Sequence, residues 1–163
     1  MRVLQPRRLL LNLLLLTAPM TVWAGGKNLT GRVGFGATDV GAGYSTPALS
    51  AEWNFSQSTG MQVNFGIDTV NGANSLQISA RYLRNLFIED SLFYSLYVGA
   101  GLLTSTASSV SSSGYLVDTG MMARFFLPNL PNLGLEALTG FRLESPGSVR
   151  IRTTLGVGVR YYF

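Results

Sequence analysis

From residue 29 onward, apolar residues recur at every second position in segments of strand length, separated by short runs of Gly, Asn, Asp, Ser and Pro. Eight segments follow one another. In the first, Leu29–Thr38, Leu29, Val33, Phe35 and Ala37 share a face opposite Thr30, Arg32, Gly34 and Gly36. The second, Thr46–Ser56, and the third, Gly60–Val70, keep their apolar residues at odd numbers. Parity then moves to even in the fourth, Ala73–Asn85, and the fifth, Ser91–Thr104. It returns to odd for Tyr115 to Leu127, Leu133 to Leu143 and Val149 to Phe163.

The change of parity tests the assignment. Residues paired across a hairpin share a face, so a two-residue loop demands opposite parity on its arms. The connection between the third and fourth segments is Asn71-Gly72, the favoured type I′ pair. The pattern predicts an all-β protein, an eight-stranded antiparallel up-and-down barrel with both termini at one end. Segments Asp39–Ser45, Asn71-Gly72, Ser105–Ser113 and Pro146–Ser148 connect strands at the far end, and Ser105–Ser113 is expected to be a mobile loop. Gln57–Thr59, the stretch around Glu89-Asp90 and Pro128–Asn132 connect them at the near end.

Which face is interior follows from charges and aromatics. Strand charges fall almost entirely on the polar face, with mixed sign, as in a small barrel filled by paired side chains. The expected interior network is Arg32, Glu52, Arg81 and Asp118, with Arg124, Glu136, Arg142 and Arg152. Pairing of Glu144 with Arg150 is expected across the last hairpin. Bulky aromatics of the apolar face gather toward the end that holds the termini: Trp53, Phe55, Tyr82, Tyr94 and Phe125, joined by Tyr161 and Phe163. A bilayer interface sorts aromatics by height, whereas a compact core does not. The apolar face is therefore expected to meet lipid, and the barrel to be transmembrane.

The first 24 residues read differently. A cationic start with Arg2, Arg7 and Arg8, a Leu-rich run from Leu9 to Thr17 and the small-residue site ending at Ala24 predict a helical, cleaved signal peptide over residues 1–24. The run is about half of the roughly 20 residues a membrane-spanning helix needs. Residues 25–163 then form the barrel. The net charge of +4 contains those three arginines, so the remainder is nearly neutral and gives no basic stripe for nucleic acid. Cysteine and histidine are absent, which removes thiolate and imidazole metal sites and every histidine-based catalytic group. No cofactor and no metal are expected.

The last residues, Gly158-Val159-Arg160-Tyr161-Tyr162-Phe163, resemble the C-terminal assembly signal of bacterial outer-membrane barrels, with Gly158, Tyr161 and Phe163 on its motif positions. The barrel region as a whole resembles the small eight-stranded OmpA-like and OmpX-like group. That resemblance implies a Gram-negative outer-membrane location, reached through the periplasm. It also implies contact with outer-membrane lipid and lipopolysaccharide, and capture by the barrel-assembly machinery. Small barrels of similar size include lipid A deacylases and palmitoyltransferases that depend on a histidine beside a serine, and this chain has no histidine. The expected function is non-enzymatic, in envelope integrity or surface interaction, with the interior plugged by charge. A narrow pore, a lipid-modifying enzyme and a soluble secreted β-barrel are the alternatives.

Overall fold

The computed structural model describes residues 27–40, 46–70, 73–107, 110–145 and 148–163. The expected signal peptide, the Asn71-Gly72 turn, residues 41–45 and the Pro146-Gly147 turn lie outside them. Eight strands follow in chain order: β1 (Val33–Val40), β2 (Thr46–Asn54), β3 (Thr59–Val70), β4 (Ala73–Ile88), β5 (Leu92–Ala107), β6 (Val110–Leu127), β7 (Leu130–Glu144) and β8 (Arg150–Tyr162). Each pairs antiparallel with its successor, and β1 closes the barrel on β8. Among the described residues no sheet edge is left along the wall, the condition for strands to cross a bilayer. Val70 pairs with Ala73, the register that a two-residue connection requires.

Alternation along the strands is the inverse of that in a soluble protein. Glu52, Gln62, Arg81, Asp118, Arg124 and Arg160 are buried, while Leu49 is 70% and Ile151 74% exposed. An apolar outer wall around a polar interior is the arrangement of a barrel solvated by hydrocarbon. The strands are staggered. Following the register round from Gly34 through Glu52, Gln62, Arg81, Gly99, Asp118 and Arg142 arrives at Arg152, whereas Gly34 pairs directly with Tyr162 across the closure. That offset tilts the strands. It also carries residues of one register row from one end of the lumen to the other.

Several boundaries differ from those read in the pattern, among them the end of β4, which runs on to Ile88 past a register shift at Asn85. Leu29, assigned to the lipid face of the first strand, is 1% exposed and packs inside the barrel with Ile88, Phe93, Phe126 and Tyr162. Gly31 takes a φ of 75°, a left-handed conformation open to glycine, and reverses the chain so that Leu29 turns in under the lumen. Ser105–Ser113 is not an open loop: β5 runs to Ala107 and β6 starts at Val110, in continuous register. Polar composition concealed a hairpin in which Thr104 meets Ser113 (3.3 Å) and Thr106 meets Ser111 (3.3 Å) through their hydroxyls. Pro128–Asn132 shrinks to a turn at Pro128-Asn129, because β7 begins at Leu130 with a register shift against Phe126.

Candidate functional site

The interior is layered. Along β6 the inward side chains run Phe126, Arg124, Met122, Asp118 and Leu116, alternating apolar and charged. At the end holding the termini, the Leu29 cluster fills the mouth and the Lys27 ammonium lies 4.0 Å from the centre of the Phe126 ring. Burial, and then the Arg32 guanidinium nearby, lower the Lys27 pKa below its ordinary value.

Immediately above lies a cluster of two carboxylates and two guanidiniums. Glu52 Oε2 accepts from Arg124 Nη2 (2.5 Å) and from Arg160 Nη1. Glu136 Oε1 accepts from Arg124 Nε (2.7 Å) and Arg160 Nη1 (2.8 Å). The other Glu52 oxygen accepts from Tyr162 Oη (2.9 Å) and Asn54 Nδ2 (3.0 Å), and Arg160 Nη2 donates to Ser50 (2.8 Å). All four ions are withdrawn from solvent. Opposite charges in equal number, with further hydrogen bonds, are what make such burial tolerable. Arg160 reaches Glu52 by crossing over β1 at Gly34. A Cβ there would stand 2.7 Å from both Arg160 Cδ and the Tyr162 ring, so only glycine leaves the passage open.

Leu83, Tyr97, Met122 and Leu138 form an apolar layer above this cluster. A second charged group follows. Arg81 donates through Nε (3.0 Å) and Nη2 (2.6 Å) to Asp118 Oδ2, and its guanidinium stacks 4.7 Å from the centre of the Tyr97 ring. Arg142 Nη2 stands 3.5 Å from the same oxygen, and its Nη1 donates to Gln77 (2.9 Å). Glu144 and Arg152 pair at 2.6 Å nearer the mouth opposite the termini.

The expected network thus divides. Glu52, Arg124 and Glu136 meet in one cluster, and Arg81, Asp118 and Arg142 in another. Arg152 pairs with Glu144. Arg32 leaves the network altogether: it precedes β1 at the terminal rim and donates to Asn132 (2.9 Å). Glu144 stands opposite Arg150 in register, but its carboxylate goes to Arg152, one inward position deeper on β8. Arg160, at the centre of the first cluster, was absent from the expected network although its parity pointed inward. Tyr162 shares that inward parity and was missed because it carries no charge to mark it, although its hydroxyl donates to Glu52.

On the outer wall, Trp53, Phe55, Tyr82 and Phe125 are exposed, and Tyr94 is half-buried with its hydroxyl 2.6 Å from Met121 Sδ. Tyr161 and Phe163 are exposed beside each other, with ring centres 5.0 Å apart, and Phe163 also meets Phe35 at 6.1 Å. The Phe163 amide donates to the Val33 carbonyl (3.0 Å), so the chain end is stitched into the closure of the barrel. Gly158 lies on the inward parity of β8, beside Thr38 of β1.

No family model and no curated protein matches the sequence. Solved structures do. The N-terminal β-barrel domain of Pseudomonas aeruginosa OprF superposes with a TM-score of 0.59 at 14% identity, over 84% of this chain and 100% of that one. A major outer membrane protein of Thermus thermophilus gives 0.53 at 14% identity, over 81% and 98%. Yersinia pestis Ail in a phospholipid bilayer nanodisc gives 0.51 at 15% identity, over 82% and 99%. At such identities the likeness is one of fold, and the fold is that of small bacterial outer-membrane barrels.

Proposed function

We infer that this protein is an integral outer-membrane barrel that acts without catalysis, its lumen closed by its own side chains, and that it serves the envelope as a structural element or a surface contact. The observation that carries the reading is the cluster of Glu52, Arg124, Glu136 and Arg160, four buried ions contributed by β2, β6, β7 and β8 that meet across the lumen. An eight-stranded barrel has an interior just wide enough for side chains to fill. Apolar layers on both sides of the cluster argue against the continuous wet path a conducting pore needs. The absence of histidine takes away the usual base for a serine nucleophile.

In this reading residues 1–24 are removed on export, the terminal end of the barrel faces the periplasm, and Gly158, Tyr161 and Phe163 are read by the assembly machinery. Alternate apolar side chains on a final strand suit capture by strand addition. Lipopolysaccharide and phospholipid contact the apolar wall. The test is conductance in planar bilayers at low voltage, together with the acylation pattern of lipid A in cells expressing the protein. No steady channels and an unchanged lipid A are expected; steady unitary currents would reassign the protein as a pore, and altered acylation would make it an enzyme.

A further inference from the structure

The interior arginines do not use their donors equally. The Nε and Nη2 groups of a guanidinium form one straight edge that can hold two oxygens of an anion at once. Arg124 fills that edge with Glu136 and Glu52, and Arg81 fills it with Asp118. Arg160 lacks a partner for Nε, but both of its terminal nitrogens are bonded. Arg142 is different: it is 7% exposed, and neither Nε nor Nη2 has a hydrogen-bond partner among the described residues. Its 3.5 Å approach to Asp118 Oδ2 brings it to an oxygen that Arg81 already occupies twice.

The register adds a second observation. Arg142 stands directly opposite Arg152 on the inward face of the β7–β8 hairpin, a like-charge pairing that disfavours the sheet unless an anion answers it. Arg150 follows at the next inward position and is exposed. This end of the ladder therefore carries Arg142, Arg150 and Arg152 with one carboxylate of its own, Glu144, and Asp118 of β6 is shared with Arg81. The depth is graded: the Arg152 side chain is 34% exposed and that of Arg142 is 8%, so the ladder leads from solvent into the lumen. Asp118 Oδ1, on the carboxylate that Arg142 approaches, is also buried without a partner.

We propose that Arg142 and Arg152 bind an oxyanion at the mouth opposite the termini, and that the anion is a protonated phosphate: hydrogen phosphate or a phosphate monoester. The free edge of Arg142 takes two phosphate oxygens. Arg152 takes a third from the solvent side, so the anion separates the two opposed cations. The phosphate O–H donates to Asp118 Oδ1, which a fully deprotonated sulfate is unable to do. Arg150 raises the local concentration of anions at the entrance. The site goes beyond the closed-lumen reading and is independent of it, because the ladder binds its anion whether or not the barrel conducts.

The experiment is calorimetric titration of the refolded barrel, in micelles of a detergent without phosphate, with inorganic phosphate and with sulfate at constant ionic strength. Saturable phosphate binding is expected, about tenfold or more tighter than sulfate, the margin of one charge-assisted hydrogen bond. Arg142→Gln should weaken phosphate by about tenfold or more, and Arg142→Lys, which keeps the charge and loses the fork, by an intermediate factor. Retention of the gel shift between unboiled and boiled samples establishes that each variant is folded. Nanodiscs containing phosphatidic acid separate the sources of the group: inhibition of phosphate binding there assigns the ligand to a lipid headgroup, and unchanged binding assigns it to a soluble phosphate. Absence of saturable binding, equal affinity for sulfate, or unaltered affinity in a folded Arg142→Gln variant would overturn the proposal.

Discussion

The two charged clusters of the lumen differ in how fully each charge is answered. Around Glu52 and Glu136, two carboxylates face two guanidiniums, and Tyr162, Asn54 and Ser50 take up further donors and acceptors. Around Asp118, two guanidiniums converge on one carboxylate oxygen while the other oxygen is left without a hydrogen bond. The balanced cluster sits between apolar layers. The unbalanced one lies nearer the end opposite the termini, with Leu116 buried beyond it. Burial does not separate them at Arg81 and Asp118, whose side chains are as withdrawn as those of the lower cluster; the difference lies at Arg142, slightly exposed beside the partly solvated Arg152. The lower cluster suits a permanent seal, and the upper one can exchange partners.

The largest expected effect follows from breaking the seal. Glu52→Ala leaves Arg124 and Arg160 sharing Glu136, and should lower stability by ~3–5 kcal/mol, the range for removing one partner of a buried pair. Urea unfolding of the barrel refolded in lipid vesicles measures it. Asp118→Ala strands Arg81, which is as deeply buried as Arg124, and should cost a similar ~3–5 kcal/mol. A cost below ~1 kcal/mol, in the same vesicles, would show that Arg81 is answered by something other than Asp118.

Gly34→Ala probes the lower cluster without touching a charge. Its Cβ would crowd Arg160 Cδ and the Tyr162 ring, and overpacking of this kind costs ~1–3 kcal/mol. Combined with Arg160→Ala, which vacates the passage, the penalty should shrink; full additivity in that cycle would show that the glycine serves something other than the crossing arginine. The smallest effect is expected at the rim, where Glu144→Gln should change the unfolding free energy by no more than ~1 kcal/mol because its partner Arg152 is partly solvated.

The parity of each strand was readable because the side-chain period of two is a local property, and lipid outside with ions inside makes the two faces chemically opposite. Trp53, Phe55, Tyr82 and Phe125 could be placed on the wall for that reason. The hairpin at Thr104 to Ser113 was obscured, since serine and threonine are as common in loops as in hydroxyl-paired strand ends. Leu29 kept the correct parity in the sequence and still pointed the wrong way, because one left-handed residue at Gly31 resets the alternation.

By itself the sequence determined that there are eight strands, which face of each meets lipid, and that the interior holds ions of both signs. It did not determine which ions meet. Glu52 and Arg160 are 108 residues apart and are joined only through the stagger of the closed barrel, which slides each strand along its neighbour and decides what stands at the same height. Alternation is encoded residue by residue, whereas height in the lumen is a property of the closure, so the cluster at Glu52 and the unpartnered edge of Arg142 came from the tertiary structure alone.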